Sequence, residues 1–284
     1  MNGNKQTGLT HLHVYTFVIY RMERGTVACI LITACRSLRK IYSNSPHAFS
    51  VNFNHKSIKM EAHIQALRIN RNPLNLVLGT KRKLGLRIGY MEAALKGFYL
   101  NSIETGVHPQ KLTRLLSEEF HCVDTESTNG LLQFLTNEGD RVPYQIMLPY
   151  LLSSDNINEF ETIIHKRFFG VERFIRQGKN LYKFVKYTEE RRDPIIWIND
   201  LERGIDAWDM GILVNLARAA YEIGYITKGQ AWEHIEQAGI LCSEILRSPE
   251  EIDKSFLLGR AMQSEKIEDW DRLLSCYLLL DKHR

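Results

Sequence analysis

The side chains best suited to chemistry in this 284-residue chain are three carboxylates, Glu202, Asp206 and Asp209, set four and three residues apart. That spacing places them along one stripe of a helix. A stripe of acids could hold a divalent cation or supply an acid and base pair. A hard cation needs further oxygen ligands, however, and this helix carries no histidine; the Asp269-x-Asp271 pair is distant in sequence. Acids in the first half of a helix also complement its dipole while facing water, and this simpler reading is the one the sequence favours.

Other candidates are weaker. Arg176, Lys179, Lys183 and Lys186 fall on one helical face opposite Val171, Phe174, Leu181 and Val185, with Tyr182 and Tyr187 nearby. Such a stripe could meet a phosphate backbone or an acidic partner, but it is also what the solvated side of an amphipathic helix looks like. Lys81-Arg82-Lys83 and Arg87 sit among Gly79, Gly85 and Gly89, a spacing that matches no phosphate-cradling loop. The histidines of the body, His63, His108, His121, His165, His234 and His283, are scattered, and no nucleophile elbow accompanies them. Five cysteines (Cys29, Cys35, Cys122, Cys242 and Cys276) form no CxxC pair and no zinc spacing, so free buried thiols are the expectation and a disulfide the alternative. No cofactor motif is present.

The elements that must position these groups are helices. From Met60 onward helical periodicity dominates, which predicts a mostly α, compact multi-helix domain. One stretch near residues 75–90, within "LNLVLGTKRKLGLRIGY", reads as a short strand or an irregular crossing. Asn72-Pro73 breaks any earlier helix. Pro109 opens a helix through Phe120, while Pro143 and Pro149 punctuate an apolar stretch. Asp155 is placed to cap a helix through Phe168, and a further helix runs from Val171 to about Tyr187. The longest pattern follows Pro194: Trp197, Leu201, Ile205, Trp208, Ile212, Leu216, Ala220 and Ile223 recur at steps of three or four, an apolar stripe ended by Gly224. Thr227 and Gln230 form a capping box for the helix carrying Trp232 and Ile235. Ser248-Pro249-Glu250-Glu251 starts another, and a last helix spans Trp270 to Leu280.

The stretch "AWDMGILVNLARAAYEIGYITKGQAWEHI", followed by "SPEEIDKSFLLGRAM", resembles the bacterial domain of unknown function 1266 family (YbeU/YbeR-like hypothetical proteins). The likeness rests on Trp208-Asp209, Arg218, Gly224-Tyr225-Ile226, Ala231-Trp232 and Leu258-Gly259-Arg260, and covers residues 197–281. The family pattern carries an arginine shortly after the Trp-Asp pair, where this chain has Ile212. The resemblance implies an α-helical fold and a cytoplasmic setting, and brings no activity. Trp208, Asp209, Arg218, Trp232 and Arg260 are its polar and aromatic members. They could converge on a pocket, or form a buried Asp–Arg bridge that fixes three packed helices, and the structural reading is the stronger one. Gly259 would permit the close helix approach that brings Arg260 to a carboxylate or a carbonyl.

Residues 1–59 differ from the rest. They hold eight lysines and arginines with Glu23 as their single acid, which leaves 29 basic and 32 acidic residues in the body despite the overall charge of +4. The mildly acidic body gives no support for nucleic-acid binding. This basic extension reads as an over-long reading frame before a start at Met60, or as a targeting segment. In the second case Arg21 and Arg24 precede "GTVACILITAC", and Cys35 would anchor a lipoprotein. Arg36, Arg39 and Lys40 close that apolar run before it could span a membrane. Residues 60–284 are then expected to be a single helical, cytoplasmic domain. Two functions are compatible with these features: a non-catalytic helical interaction or regulatory protein, immunity-like and partnered by another protein, or an enzyme of unrecognised type with a charged pocket around Asp209 and Arg260.

Overall fold

The structure is a computed structural model that describes residues 67–283, apart from 75, 76, 155, 169 and 170. The expectations for residues 1–59, including the Met60 start and the roles of Cys29 and Cys35, lie outside the described residues, as does His63. Eleven α-helices are described: α1 Thr80–Ile88, α2 Tyr90–Lys96, α3 Pro109–Glu118, α4 Thr125–Asn137, α5 Arg141–Ser153, α6 Ile157–Phe168, α7 Glu172–Glu189, α8 Asp206–Ile223, α9 Lys228–Ile245, α10 Pro249–Ala261 and α11 Ile267–Asp281. The mostly α expectation is met. Among the described residues the one β feature is an isolated bridge between Asn70 and Tyr99, and no helix is long and apolar enough to cross a membrane.

Helix α8 is the centre. It packs against α9, α10, α4 and α3, and touches α1 and α2 as well. Every residue from Ala207 to Ala220 is buried, so the stripe read from the sequence understates it: the helix is enclosed on all sides, with Asp209, Asn215 and Arg218 as its buried polar members. The stripe also spans two elements rather than one. Trp197 caps a short 3-10 helix, Ile198–Arg203, that contains Leu201, and Gly204 then turns the chain at a φ of 79° before α8 begins. Leu201 and Ile205 stay buried across this break, whereas Trp197 is 53% exposed.

The end signals hold where they are local. Gly224 closes α8 in the left-handed conformation, with a φ of 86°. The Thr227 hydroxyl accepts from the Gln230 amide at 3.3 Å and the Gln230 carbonyl oxygen accepts from the Thr227 amide at 2.9 Å. Ser248 accepts from the Glu251 amide, while Glu251 reaches one residue further back, to the Arg247 amide at 2.7 Å. At α6 the capping acceptor is Asn156, whose side-chain oxygen receives the amides of Asn158 and Glu159; Asp155 is outside the described residues. Pro149 lies inside α5 rather than at its end. Its ring removes the bond to the carbonyl of Gln145, a residue exposed to water, while Pro143 occupies the first turn where no amide partner is needed.

The stretch near residues 75–90 is irregular over 77–79 and then helical, as α1. Gly85 in its interior weakens the intrinsic helix preference, but tertiary packing overrides this. A Cβ on Gly85 would lie 2.1 Å from the carbonyl oxygen of Ile235, and one on Gly239 would lie 2.9 Å from the Gly85 nitrogen. The absence of both side chains lets α1 and α9 cross at backbone contact, which explains Gly85, while Gly89 makes room for Val214 and Asn215 of α8.

Candidate functional site

The sequence-derived residues do not form one pocket. Asp209 is fully buried and its carboxylate acts as a cap for another helix. It accepts the backbone amides of Asp140 and Arg141, both at 2.9 Å, at the start of α5, and the Arg141 guanidinium at 3.1 Å. Arg141 in turn donates to the carbonyls of Leu135 and Thr136 in the last turn of α4. One carboxylate and one guanidinium thus satisfy the open ends of two helices. Gly139, at a φ of 64°, makes room, since a Cβ there would lie 2.1 Å from the Asp209 carboxylate. Burial pushes the Asp209 carboxyl up to about 6, with the nearby Asp140 charge adding to it, against the lowering effect of the two amides and Arg141.

Arg218, two and a half turns further along α8, is 1% exposed. It donates to the carbonyls of Ile103, Tyr99 and Glu104 and to the Asn215 side chain. Burial lowers its pKa to about 10, which leaves it charged at neutral pH. Its partners are carbonyls and the Asn215 side chain, while the arginine that meets Asp209 is Arg141, so Asp209 and Arg218 make separate fastenings. Trp232 lies on α9 beneath Arg82, whose guanidinium carbon is 4.7 Å from the ring centroid. Trp208 and Arg260 are brought together: the guanidinium stands over the indole at 5.7 Å, and the indole N–H donates to Asp140 at 3.2 Å. Gly259 makes this approach possible, because a Cβ there would sit 2.2 Å from that of Trp208.

The remaining candidates resolve into structure. Glu202 is exposed on the 3-10 helix, separate from Asp206 and Asp209, and no group of acids, histidines or cysteines able to hold a metal occurs among the described residues. On α7, Lys179 pairs with Glu161, Lys183 with Glu265 and Lys186 with Glu189, so that stripe is a neutralised, solvated face. Its apolar side is formed by Ile175, Leu181, Phe184 and Val185, with Phe174 half-buried. Cys122, Cys242 and Cys276 are free and buried, and burial pushes the Cys276 thiol up to about 12, far from the range of a reactive thiolate.

Arg260 instead faces a cleft between α2, the end of α10 and the start of α11. This cavity of about 280 Å³ is lined by Glu92, Lys96, Arg260, Asp269, Trp270 and Arg272 among others. Glu92 is 2% exposed. Its Oε1 is 3.9 Å from the Lys96 ammonium, while Oε2 has no hydrogen-bond partner. Burial raises the Glu92 carboxyl above its usual range; Arg260, Lys96 and Arg272 act to lower it and Glu119 to raise it. Lys96 also pairs with Glu119, the Arg272 guanidinium donates to the carbonyl of Leu95 at 2.9 Å, and Asp269 accepts from the Ser264 hydroxyl. Sequence reading singled out Arg260 and missed Glu92 and Lys96. The available signal was an acid enclosed by Met91 and Ala93-Ala94-Leu95, with a lysine one turn on.

A family model described as a protein of unknown function, DUF1266, matches residues 115–284. The match is wider than the segment at 197–281 and takes in Arg141, Arg260 and the α11 wall of the cleft, but not Glu92 or Lys96 on α2. No curated protein and no solved structure matches the chain. With more than half of its length matched, the chain belongs to the DUF1266 family.

Proposed function

We propose that this protein is a non-catalytic, helical regulatory protein that works by binding, and that the cleft between Glu92 and Arg260 receives its ligand. The observation that carries this reading is the buried Glu92 Oε2, which has no hydrogen-bond partner and belongs to a residue that lines the cleft. A buried polar atom left unsatisfied costs about 1–3 kcal/mol, a cost that a ligand supplying the missing bond would offset. The cleft lining offers no cysteine or histidine, and the one wall hydroxyl, on Ser264, is engaged with Asp269. This composition suits holding a charged molecule better than attacking one.

An enzyme centred on Asp209 and Arg260 has less support, because Asp209 is enclosed by the amides of α5 and the Arg141 guanidinium. If chemistry occurs, the raised carboxyl of Glu92 is the better acid. Native mass spectrometry of the full chain after incubation with a cell metabolite extract tests the proposal. A small molecule should be retained by the wild type, recovered chemically unchanged, and lost from R260Q. Retention of nothing, or equal retention by R260Q, overturns the binding reading, and recovery of a converted product favours the enzyme.

A further inference from the structure

We infer that the cleft is a receptor site for a small zwitterion of the α-amino-acid class, whose carboxylate meets Arg260 and whose ammonium group meets Glu92. The inference rests on the binding reading above and adds the ligand's chemistry. Of the charged groups around the cavity, Lys96 is held by Glu119, Arg272 donates through one nitrogen to the Leu95 carbonyl, and Asp269 accepts from Ser264. Two groups stand apart, although Glu92 Oε1 lies 3.9 Å from the Lys96 ammonium. The Arg260 guanidinium makes no hydrogen bond among the described residues and rests on the Trp208 ring, leaving its N–H fork open. The Glu92 Oε2 is the opposite, a buried acceptor with no donor.

An open fork of donors and an unfilled acceptor, on two residues that line one cavity, define the complement. A planar carboxylate fits a guanidinium through two parallel bonds. An ammonium supplies three donors, one of which meets the Glu92 oxygen. A simple anion would satisfy Arg260 and leave Glu92 unfilled; a simple amine would do the reverse. Size points the same way, since about 280 Å³ falls just below the roughly 300–1,000 Å³ of drug-sized ligand pockets. Leu95, Trp270 and Leu273 complete the lining with apolar surface, against which the ligand's own side chain would lie. The walls also fix the two groups. Glu92 is set on α2, whose first turn is anchored by the Asn215 amide donating to the Gly89 carbonyl at 2.9 Å, and Arg260 is set by its indole platform.

The test is isothermal titration and thermal melting of the full chain with each of the twenty free amino acids, and with inorganic phosphate, acetate and methylamine as single-charge probes. One or a few amino acids should raise the melting temperature and bind, with the single-charge probes at least tenfold weaker. E92Q and R260Q should each weaken that binding at least tenfold, and R260K, which keeps charge but lacks the fork, should weaken it too. Acetate or phosphate binding as tightly as any amino acid would overturn the zwitterion assignment while leaving the cleft a binding site. So would retention of some other metabolite with no response to amino acids. Absence of any retained or titratable molecule would overturn both readings, and unchanged amino-acid affinity in R260K and E92Q would place the ligand elsewhere.

Discussion

The core around α8 and the cleft beside α2 use the same residue types in opposite ways. In the core, Asp209 and Arg218 are as buried as any leucine, yet each has its hydrogen-bonding capacity taken up by the ends and loops of neighbouring helices. In the cleft, Glu92 is equally buried and Arg260 half-buried, and each retains an open valence. Burial alone therefore does not mark a functional residue. What separates the two regions is satisfaction: a satisfied buried charge is a fastener, and an unsatisfied one next to space is a receptor.

The comparison breaks first at Arg218. R218M keeps the aliphatic stem but removes every donor, leaving the carbonyls of Ile103, Tyr99 and Glu104 and the Asn215 oxygen without their partner. A loss of about 4 kcal/mol is expected, measured as a drop in the urea midpoint. D209A should follow at about 3 kcal/mol, because it uncaps α5 and leaves Arg141 without its closest carboxylate. If either substitution proves neutral, the fastener description is wrong. Asp209 carries a pH signature as well. Its carboxyl titrates near 6 in the folded protein against an ordinary value of 3.8, so the folded state binds the proton more tightly. The wild type should therefore gain stability as pH falls from above 6 towards 4, and D209N, which has no titrating carboxyl, should lack that component.

The two regions were also unequally legible. Gly224, the Thr227–Gln230 box and Ser248 could be read directly because caps act within three or four residues. The Trp208 to Arg260 contact could be suspected from Gly259. By contrast, Asp209 finds its partner Arg141 across 68 residues, and nothing local to either announces it. The helix α1 is hard to read because its Gly85 serves a crossing with α9 that exists only in the folded bundle. Glu92 and Arg260 share a cleft through three helices that no periodicity connects. The long stripe from Trp197 misled for a related reason: Gly204 resets the chain direction while preserving the burial of Leu201 and Ile205.

On the cleft side the expected sign reverses. E92Q replaces a buried carboxylate, with one oxygen lacking a hydrogen bond and the other 3.9 Å from Lys96, by a neutral amide of the same shape, and should stabilise the free protein at pH 8 by about 1 kcal/mol. Because burial raises the folded carboxyl above its usual range, the wild type is penalised above that raised value. The penalty fades as pH falls through the ordinary carboxylate value of 4.5, below which both folded and unfolded chains are protonated. The advantage of E92Q in melting temperature should shrink over the same window. Stability and ligand affinity would then move in opposite directions at one residue, the pattern expected of a site kept for function at the expense of the fold. A destabilised E92Q would make Glu92 another fastener and dissolve the contrast with Asp209.

The smallest effect should come from α7. Lys183 is half-exposed and 3.5 Å from a more exposed Glu265, a geometry in which the Coulomb attraction is screened by water and opposed by side-chain ordering. K183Q should change the urea midpoint by no more than the equivalent of about 0.5 kcal/mol. The measurement sharpens the comparison because Lys183 is as charged as Arg218 and sits on a helix of the same length. If K183Q cost as much as R218M, charge itself would be holding the bundle together; a near-zero value assigns the difference to burial with satisfied partners.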